Sequence, residues 1–236
     1  MAETSQLNLP LLSPSQAQKH VTVNEALARL DGLTQMVLAS RTATVPPLSA
    51  EEGTSYAVPA GAVNDWAGWD GAVATFANGG WVFAVPRRGW RGFVADESVT
   101  VLHDGNVWQA GALALSPNGA GTFLKVDEFD HVIGAGASST TTGQIASGVM
   151  VIAVTARVLV AVTGTLTAWQ LGTAGAADRF GSGLGLGAGS YARGMLSAPM
   201  TYWGAAPLLL TATGGEFAGG TVRIAVHSLD LSLPGM

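Results

Sequence analysis

The sequence predicts a mainly β protein: a short N-terminal helical segment, a small module of β-hairpins, and a C-terminal antiparallel β-sandwich or jelly roll. Three observations predict it. The last hundred residues alternate apolar and small polar side chains in long runs such as "VMVIAVTARVLVAVTGTLTAWQLGT" and "GGTVRIAVHSLDL", the period-two pattern of half-buried strands. Turn signals punctuate those runs at Gly164, Gly175, Gly183 to Gly189, Gly214-Gly215 and Gly219-Gly220, the rhythm of a sandwich. Only "SPSQAQKHVTVNEALARLDGL" (13–33) reads as helix.

In that opening segment Ser13, Pro14 and Gln16 make a helix start, with a hydroxyl for an orphan N–H and a proline that needs no donor. Thr22 with Glu25 repeats the signal, so the segment is either one helix with a soft point near Val21 to Val23 or two short ones. Val23, Leu27, Leu30, Thr34 and Val37 follow alternating spacings of four and three, a coiled-coil seam interrupted at Gly32. A helix this narrow and this far from the strand-patterned sequence cannot bury its stripe alone, and the simplest partners are copies of itself.

Residues 41–53, "RTATVPPLSAEEG", read as an extended linker because Pro46 and Pro47 exclude helix. Residues 54–112 read as a β module. Asn78-Gly79 and Asp104-Gly105 mark two hairpin turns, and Trp66, Trp69, Trp81, Trp90 and Trp108 supply its core. A second linker is expected over 113–130, and the sandwich over 131–236, with "SSTTT" (138–142) as an exposed loop.

Composition excludes several function classes. Charged residues make up 11% of the chain, against about 25% in ordinary globular proteins, so the surface is covered by small neutral residues or hidden against other chains. The longest apolar run, 149–162, carries Arg157 in its middle and falls short of the roughly 20 residues a membrane helix needs. The opening "MAETSQ" shows no charged-then-apolar leader. A net charge of −5 with 11 basic residues argues against nucleic acid, and "RRGWR" (87–91) reads as a solvated turn before a strand.

Catalytic and metal signatures are equally thin. Beyond residue 130 the acids are Asp178, Glu216 and Asp230, spaced as turn residues and local ion pairs rather than as the facing pair that glycoside hydrolysis needs. His20, His103, His131 and His227 share no metal spacing, there is no cysteine, and "GSGLGLGAGS" (181–190) lacks the phosphate-loop patterns; it reads as a glycine-rich hairpin or tight strand packing close to something. No cofactor and no catalytic residue is expected. The stretch 168–204 is the best candidate for recognition: Trp169, Tyr191, Tyr202 and Trp203, with Phe180, stand among Asp178, Arg179 and Arg193. Aromatic faces stack on sugar C–H groups while Asp and Arg fork the hydroxyls. Two or three of these aromatics are expected in the core.

"LPLLSPSQAQKHVTVNEALARLD", "GWVFAVPRRGWRGFVADE", "VLHDGNVW" and "DRFGSGLGLGAGSYARGM…APMTYW" together resemble a domain family of formally unknown function found in fibre proteins of phage and of gene transfer agents. The resemblance spans about residues 7–228 and is most specific in SPSQAQKHVTVNEAL. It implies a homotrimeric, non-enzymatic tail fibre, assembled in the bacterial cytoplasm and acting outside the cell. The N-terminus would dock to a particle tail or baseplate protein, and the C-terminal domain would contact host surface polysaccharide, with no nucleic acid and no membrane insertion. A head-spike fibre or a capsule-degrading spike are the alternatives. Under this resemblance residues 1–40 trimerise and attach, with Val23, Leu27 and Leu30 turned to the threefold axis and Ser13, Gln16 and Lys19 near the particle.

Overall fold

The computed structural model describes residues 2–13 and 19–235. The chain is mainly β and divides into two compact units, Met1–Ala112 and Leu113–Met236.

The N-terminal unit holds the helix α1 (Lys19–Leu33) and seven strands: β1 (Val37–Leu38), β2 (Ser55–Ala57), β3 (Val73–Ala77), β4 (Gly80–Ala84), β5 (Arg91–Val94), β6 (Val99–His103) and β7 (Trp108–Ala110). They form one sheet in the order β4-β3-β2-β1-β5-β6-β7. The two-residue β1 lies at its centre and pairs in parallel with β2 and β5, so the module reaches back beyond residue 54. Alternation on β3 places Val73 in one buried cluster with Leu38, Val94 and Trp108, and Ala74 in another with Trp66. Tyr56 and Trp81 close around Trp66 at ring centroid distances of 5.1 and 5.2 Å. Trp69 departs from the expected core: it is 43% exposed and stacks flat on Phe83.

Asn78 and Gly79 take the positive φ values, 54° and 75°, that a two-residue hairpin demands. Their N–H groups each donate to the Glu52 carboxylate at 2.8 Å; an acid of the proline-rich connection thus fixes the turn. The Asp104-Gly105 turn is wider than a two-residue loop, because β6 and β7 close on the pair His103 and Trp108. The Asp104 carboxylate accepts from the N–H groups of Asn106 and Val107.

Here the expectation of an isolated helix is corrected. α1 is continuous through Thr22 and Glu25 and ends at Leu33, so Thr34 and Val37 of the expected seam lie beyond it and Val37 is in β1. The helix packs on the sheet of its own chain. Gly32 makes the approach possible: a Cβ there would sit 2.6 Å from Thr75 Oγ1 and 3.3 Å from Ser55 Oγ. Beside it the buried Asp31 carboxylate accepts from Thr4 Oγ1 and from the N–H groups of Gln6 and Leu7, which latches the N-terminal arm onto the helix. Val23 and Leu30 remain 40% and 52% exposed and Leu27 half-buried. Ser13 is exposed; Gln16, the helix start it belongs to, and the Lys19 side chain lie outside the described residues.

The C-terminal unit is an antiparallel sandwich built from β8 (Ala112–Leu115), β9 (Gly121–Val132), β10 (Ser138–Ile145), β11 (Val149–Gly164), β12 (Ala168–Thr173), β13 (Ala176–Leu184), β14 (Tyr191–Tyr202), β15 (Ala206–Thr213) and β16 (Phe217–Leu231). One sheet runs β10-β15-β12-β13 and the other β14-β11-β16-β9-β8. Their facing sides share a core of Trp169, Leu171, Phe180, Leu208 and Leu210 against Val151, Val154, Val158, Val222, Ile224 and Val226.

Two expected irregular segments are strands. "KVDEFD" belongs to β9 rather than to a linker: Lys125, Asp127, Glu128 and Asp130 are all exposed, on both sides of the strand, while Phe129 is half-buried against the core. "SSTTT" lies in β10, where Ser139 and Thr141 point inward and are satisfied by His131 Nε2 and by the Leu208 N–H. The Gly219-Gly220 signal also lies within a strand, β16. The glycine-rich 181–190 stretch ends β13 and then connects it to β14, hydrogen-bonding to β11 of the same chain through Gly189 N–H to Val158 O and Val162 N–H to Leu186 O.

Candidate functional site: an arginine-lined cleft on the outer sheet face

A β-bulge creates this face. Up to Val151 the odd-numbered residues of β11 point into the core, but the register slips between Val151 and Ala153 on both flanking pairings. From there the even residues Val154, Ala156 and Val158 are the buried ones. One extra residue reverses which side of the sheet the residues that follow it, through Val158, occupy. Arg157, which by plain alternation would enter the core, therefore faces solvent.

Register then assembles the rest. Tyr191, Arg157, Arg223 and Asp130 form one row across β14, β11, β16 and β9, and Arg193, Thr155, Ala225 and Glu128 form the next. Small residues in the middle of the second row leave a shallow cleft of about 390 Å³ bounded by the taller side chains. The two rows span three inter-strand spacings, about 14 Å.

The charges are arranged unequally. Arg223 donates to both oxygens of Asp130, at 2.7 and 2.8 Å, and lies 3.7 Å from Glu128. Those hydrogen bonds hold the Asp130 carboxyl below its ordinary range and raise the guanidinium further. Arg193 rests near the Tyr191 ring, 5.9 Å from its centroid. Neither Arg157 nor Arg193 has a carboxylate within ion-pair distance among the described residues. Thr155 Oγ1 lies 3.1 Å from His227 Nε2 on the neighbouring row.

The structure does not gather the six expected glycan contacts. Trp169 is removed from the face: it is 1% exposed in the core, and its indole N–H donates to Gly185 O at 3.0 Å. Tyr202 is half-buried against that core, with its hydroxyl unpaired. Asp178 is exposed on β13 and Arg179 points to the Met200 sulfur. Trp203 is 86% exposed but stands at the far end of β14. Tyr191 pairs with Arg157 and Tyr202 with Val149, eight residues apart on β11, a separation of roughly 25 Å. Only Tyr191 lines the arginine cleft. A signal for the others exists in the strand triplets "TAR" (155–157), "YAR" (191–193) and "TVR" (221–223), each of which places a polar residue and an arginine on one side of a strand.

The N-terminal unit has a cleft of its own, about 430 Å³, lined in part by Arg41, His103 and Trp108. Its charges are engaged. Arg41 forks Glu97 at 2.8 Å and donates to Trp108 O, and His103 accepts from the Gly105 N–H. Of "RRGWR", Arg87 to Gly89 lie exposed in the turn before β5, Trp90 packs half-buried against the core and Arg91 opens the strand. Asp230, one of the three acids beyond residue 130, is paired with Lys125 at 2.6 Å. Among the described residues no group of three or more His, Asp or Glu side chains is placed to hold a metal ion, and no helix is long and apolar enough to cross a membrane.

Residues 23–109, within the N-terminal unit, match a family described as a protein of unknown function (DUF2793). Among solved structures, a chain of the cyanophage Pam1 capsid asymmetric unit matches with a TM-score of 0.37 and 24% identity, over 50% of this chain and 92% of that one. No curated protein matches the chain.

Proposed function

We propose that this protein is a receptor-binding fibre of a phage-like gene transfer particle, a homotrimer that attaches the particle to surface polysaccharide of the recipient cell. The observation that carries the binding role is the outward cleft on the five-stranded sheet, where arginines, an exposed tyrosine and a threonine hydroxyl converge in a protein otherwise poor in charge. Guanidinium forks and aromatic faces are the groups that grip sugars and their substituents. The particle context rests on the sequence resemblance to phage and gene-transfer-agent fibres. Self-association is supported by Val23 and Leu30, seven residues apart on α1 and both left exposed, a spacing that suits a helical seam.

The reading is of a binding protein without catalysis. Asp130 favours it: both its oxygens accept from Arg223, which lowers its proton affinity and makes it a poor proton donor to a glycosidic oxygen.

The experiment is a pair of measurements on the full chain. Light scattering should give the mass of three protomers, and Val23→Asp with Leu30→Asp should lower it without loss of fold. Sedimentation with surface polysaccharide extracted from recipient cells should carry the protein down without shortening the polymer. A full chain that is a monomer, with a mass that the double substitution leaves unchanged, removes the trimer, shortening of the polymer converts the reading into an enzyme, and absence of binding removes the receptor role. Labelling of whole particles with antibody separates tail from head attachment.

A further inference from the structure

We infer that the cleft on the outer sheet face selects an acidic saccharide, with the ligand's oxyanion, carboxylate or phosphate, held between Arg157 and Arg193. This rests on the polysaccharide-binding reading and specifies its chemistry.

The first support is a like-charge pair. Arg157 and Arg223 are direct cross-strand partners, and like charges directly opposite destabilise a sheet. The chain relieves only one of them: Arg223 is forked by Asp130, while Arg157 has no carboxylate within 4.0 Å among the described residues. The bulge that turns Arg157 outward adds to the point, since without it the residue would not face its neighbours at all. A local conflict with no gain for the fold is the mark of a functional position.

The second support is concentration. Residues 113–236 contain five basic side chains against six acidic ones, yet three of those five, Arg157, Arg193 and Arg223, line this one cleft. The unit as a whole does not attract anions; the cleft does.

The third is polarity along the floor. Unpaired guanidinium groups stand at the β14 and β11 end, Thr155 and Ala225 lie low in the middle, and Glu128 stands at the β9 end. An oxyanion accepts a fork from the arginines, the exposed Tyr191 ring offers a face to a sugar ring, and Glu128 accepts from a hydroxyl. Glu128 would also repel a second anion, so the cleft favours a polymer whose charges are spaced apart over one whose every ring is charged.

The test uses the full chain with four probes: hyaluronan oligosaccharides, which carry a carboxylate on every second ring; the same oligosaccharides as methyl esters; a phosphorylated mannan; and dextran. Hyaluronan or the phosphomannan should bind about tenfold or more tighter than the ester and dextran, and the preference should fall as salt is raised; which of the two binds identifies the oxyanion. Arg157→Gln and Arg193→Gln should each remove about tenfold of that preference, and Arg157→Lys should restore only part, since it keeps the charge and loses the fork. The melting temperature of Arg157→Gln should not fall. Equal binding of charged and neutral probes overturns the inference and leaves the polysaccharide reading standing. Binding of none of the four overturns the inference, and failure of the extracted surface polysaccharide to bind as well overturns both. Anion-selective binding unchanged in the two Gln variants overturns the assignment to this cleft.

Discussion

The two units of this chain use their charges in opposite ways. In the N-terminal unit three ionic groups hold backbone in place: Asp31 gathers the N-terminal arm, Glu52 holds the Asn78-Gly79 turn, and Arg41 ties Glu97 to the carbonyl of Trp108. In the C-terminal unit the core is built of apolar side chains with a few hydroxyls and His131, and two arginines on the outer sheet face have no acidic partner among the described residues. A charge tied to backbone explains a fold. A charge that the fold does not use asks for a partner outside it.

The comparison can be broken most forcefully in the cores. Trp169→Ala should destabilise the C-terminal unit by about 4 kcal/mol, leave the N-terminal unit untouched, and reduce any sugar binding only through unfolding. Hydrogen exchange read separately for each unit would show this. Asp31→Ala is the N-terminal counterpart. It strands the Thr4 hydroxyl and two backbone N–H groups, and a loss of about 3 kcal/mol confined to that unit is expected. Gly32→Ala should follow at about 2 kcal/mol, because the added Cβ meets Thr75 Oγ1 at 2.6 Å.

Acid sharpens the comparison from another side, since each unit carries a buried histidine on a strand. Burial lowers the proton affinity of His103 and of His131 below the ordinary value of 6.5. The unfolded chain then binds more protons than the folded one as the pH drops. The stabilisation from each neutral imidazole is complete above about pH 6.5 and is lost as the pH falls through the lower folded value. Urea unfolding followed between pH 7.5 and 5 should show both units weakening, and His131→Asn should flatten the dependence for the C-terminal unit alone. The smallest effect belongs to the face: Arg157→Gln should change stability by no more than about 0.5 kcal/mol, upward in sign.

How much of this was legible in the sequence follows from what periodicity records. The sandwich strands were readable because Val, Ile and Leu alternate with small polar residues along β11 and β16, and Asn78-Gly79 because its φ values leave few other residues that fit. β10 was not readable: its inward side carries Ser139 and Thr141, whose hydroxyls are satisfied by His131 and by the Leu208 N–H, so a buried side looks polar. β9 was missed because its outer residues are charged and "KVDEFD" resembles a solvated connection. The helix was seen, but its partner was not, since its contact with the sheet depends on the absent side chain of Gly32 rather than on an apolar stripe. The site was obscured by the bulge near Ile152. Strict alternation places Arg157 inside, and only the shifted register brings it beside Tyr191 and Arg223.

The most direct test is a map of hydrogen-exchange protection on the full chain with and without hyaluronan oligosaccharide. Protection over residues 153–158 and 191–196, with 37–110 unchanged, is the predicted result and would place the ligand on the cleft. Protection confined to the N-terminal unit, or none at ligand concentrations that saturate binding, would contradict the division between a unit whose charges fold it and a unit whose charges await a partner.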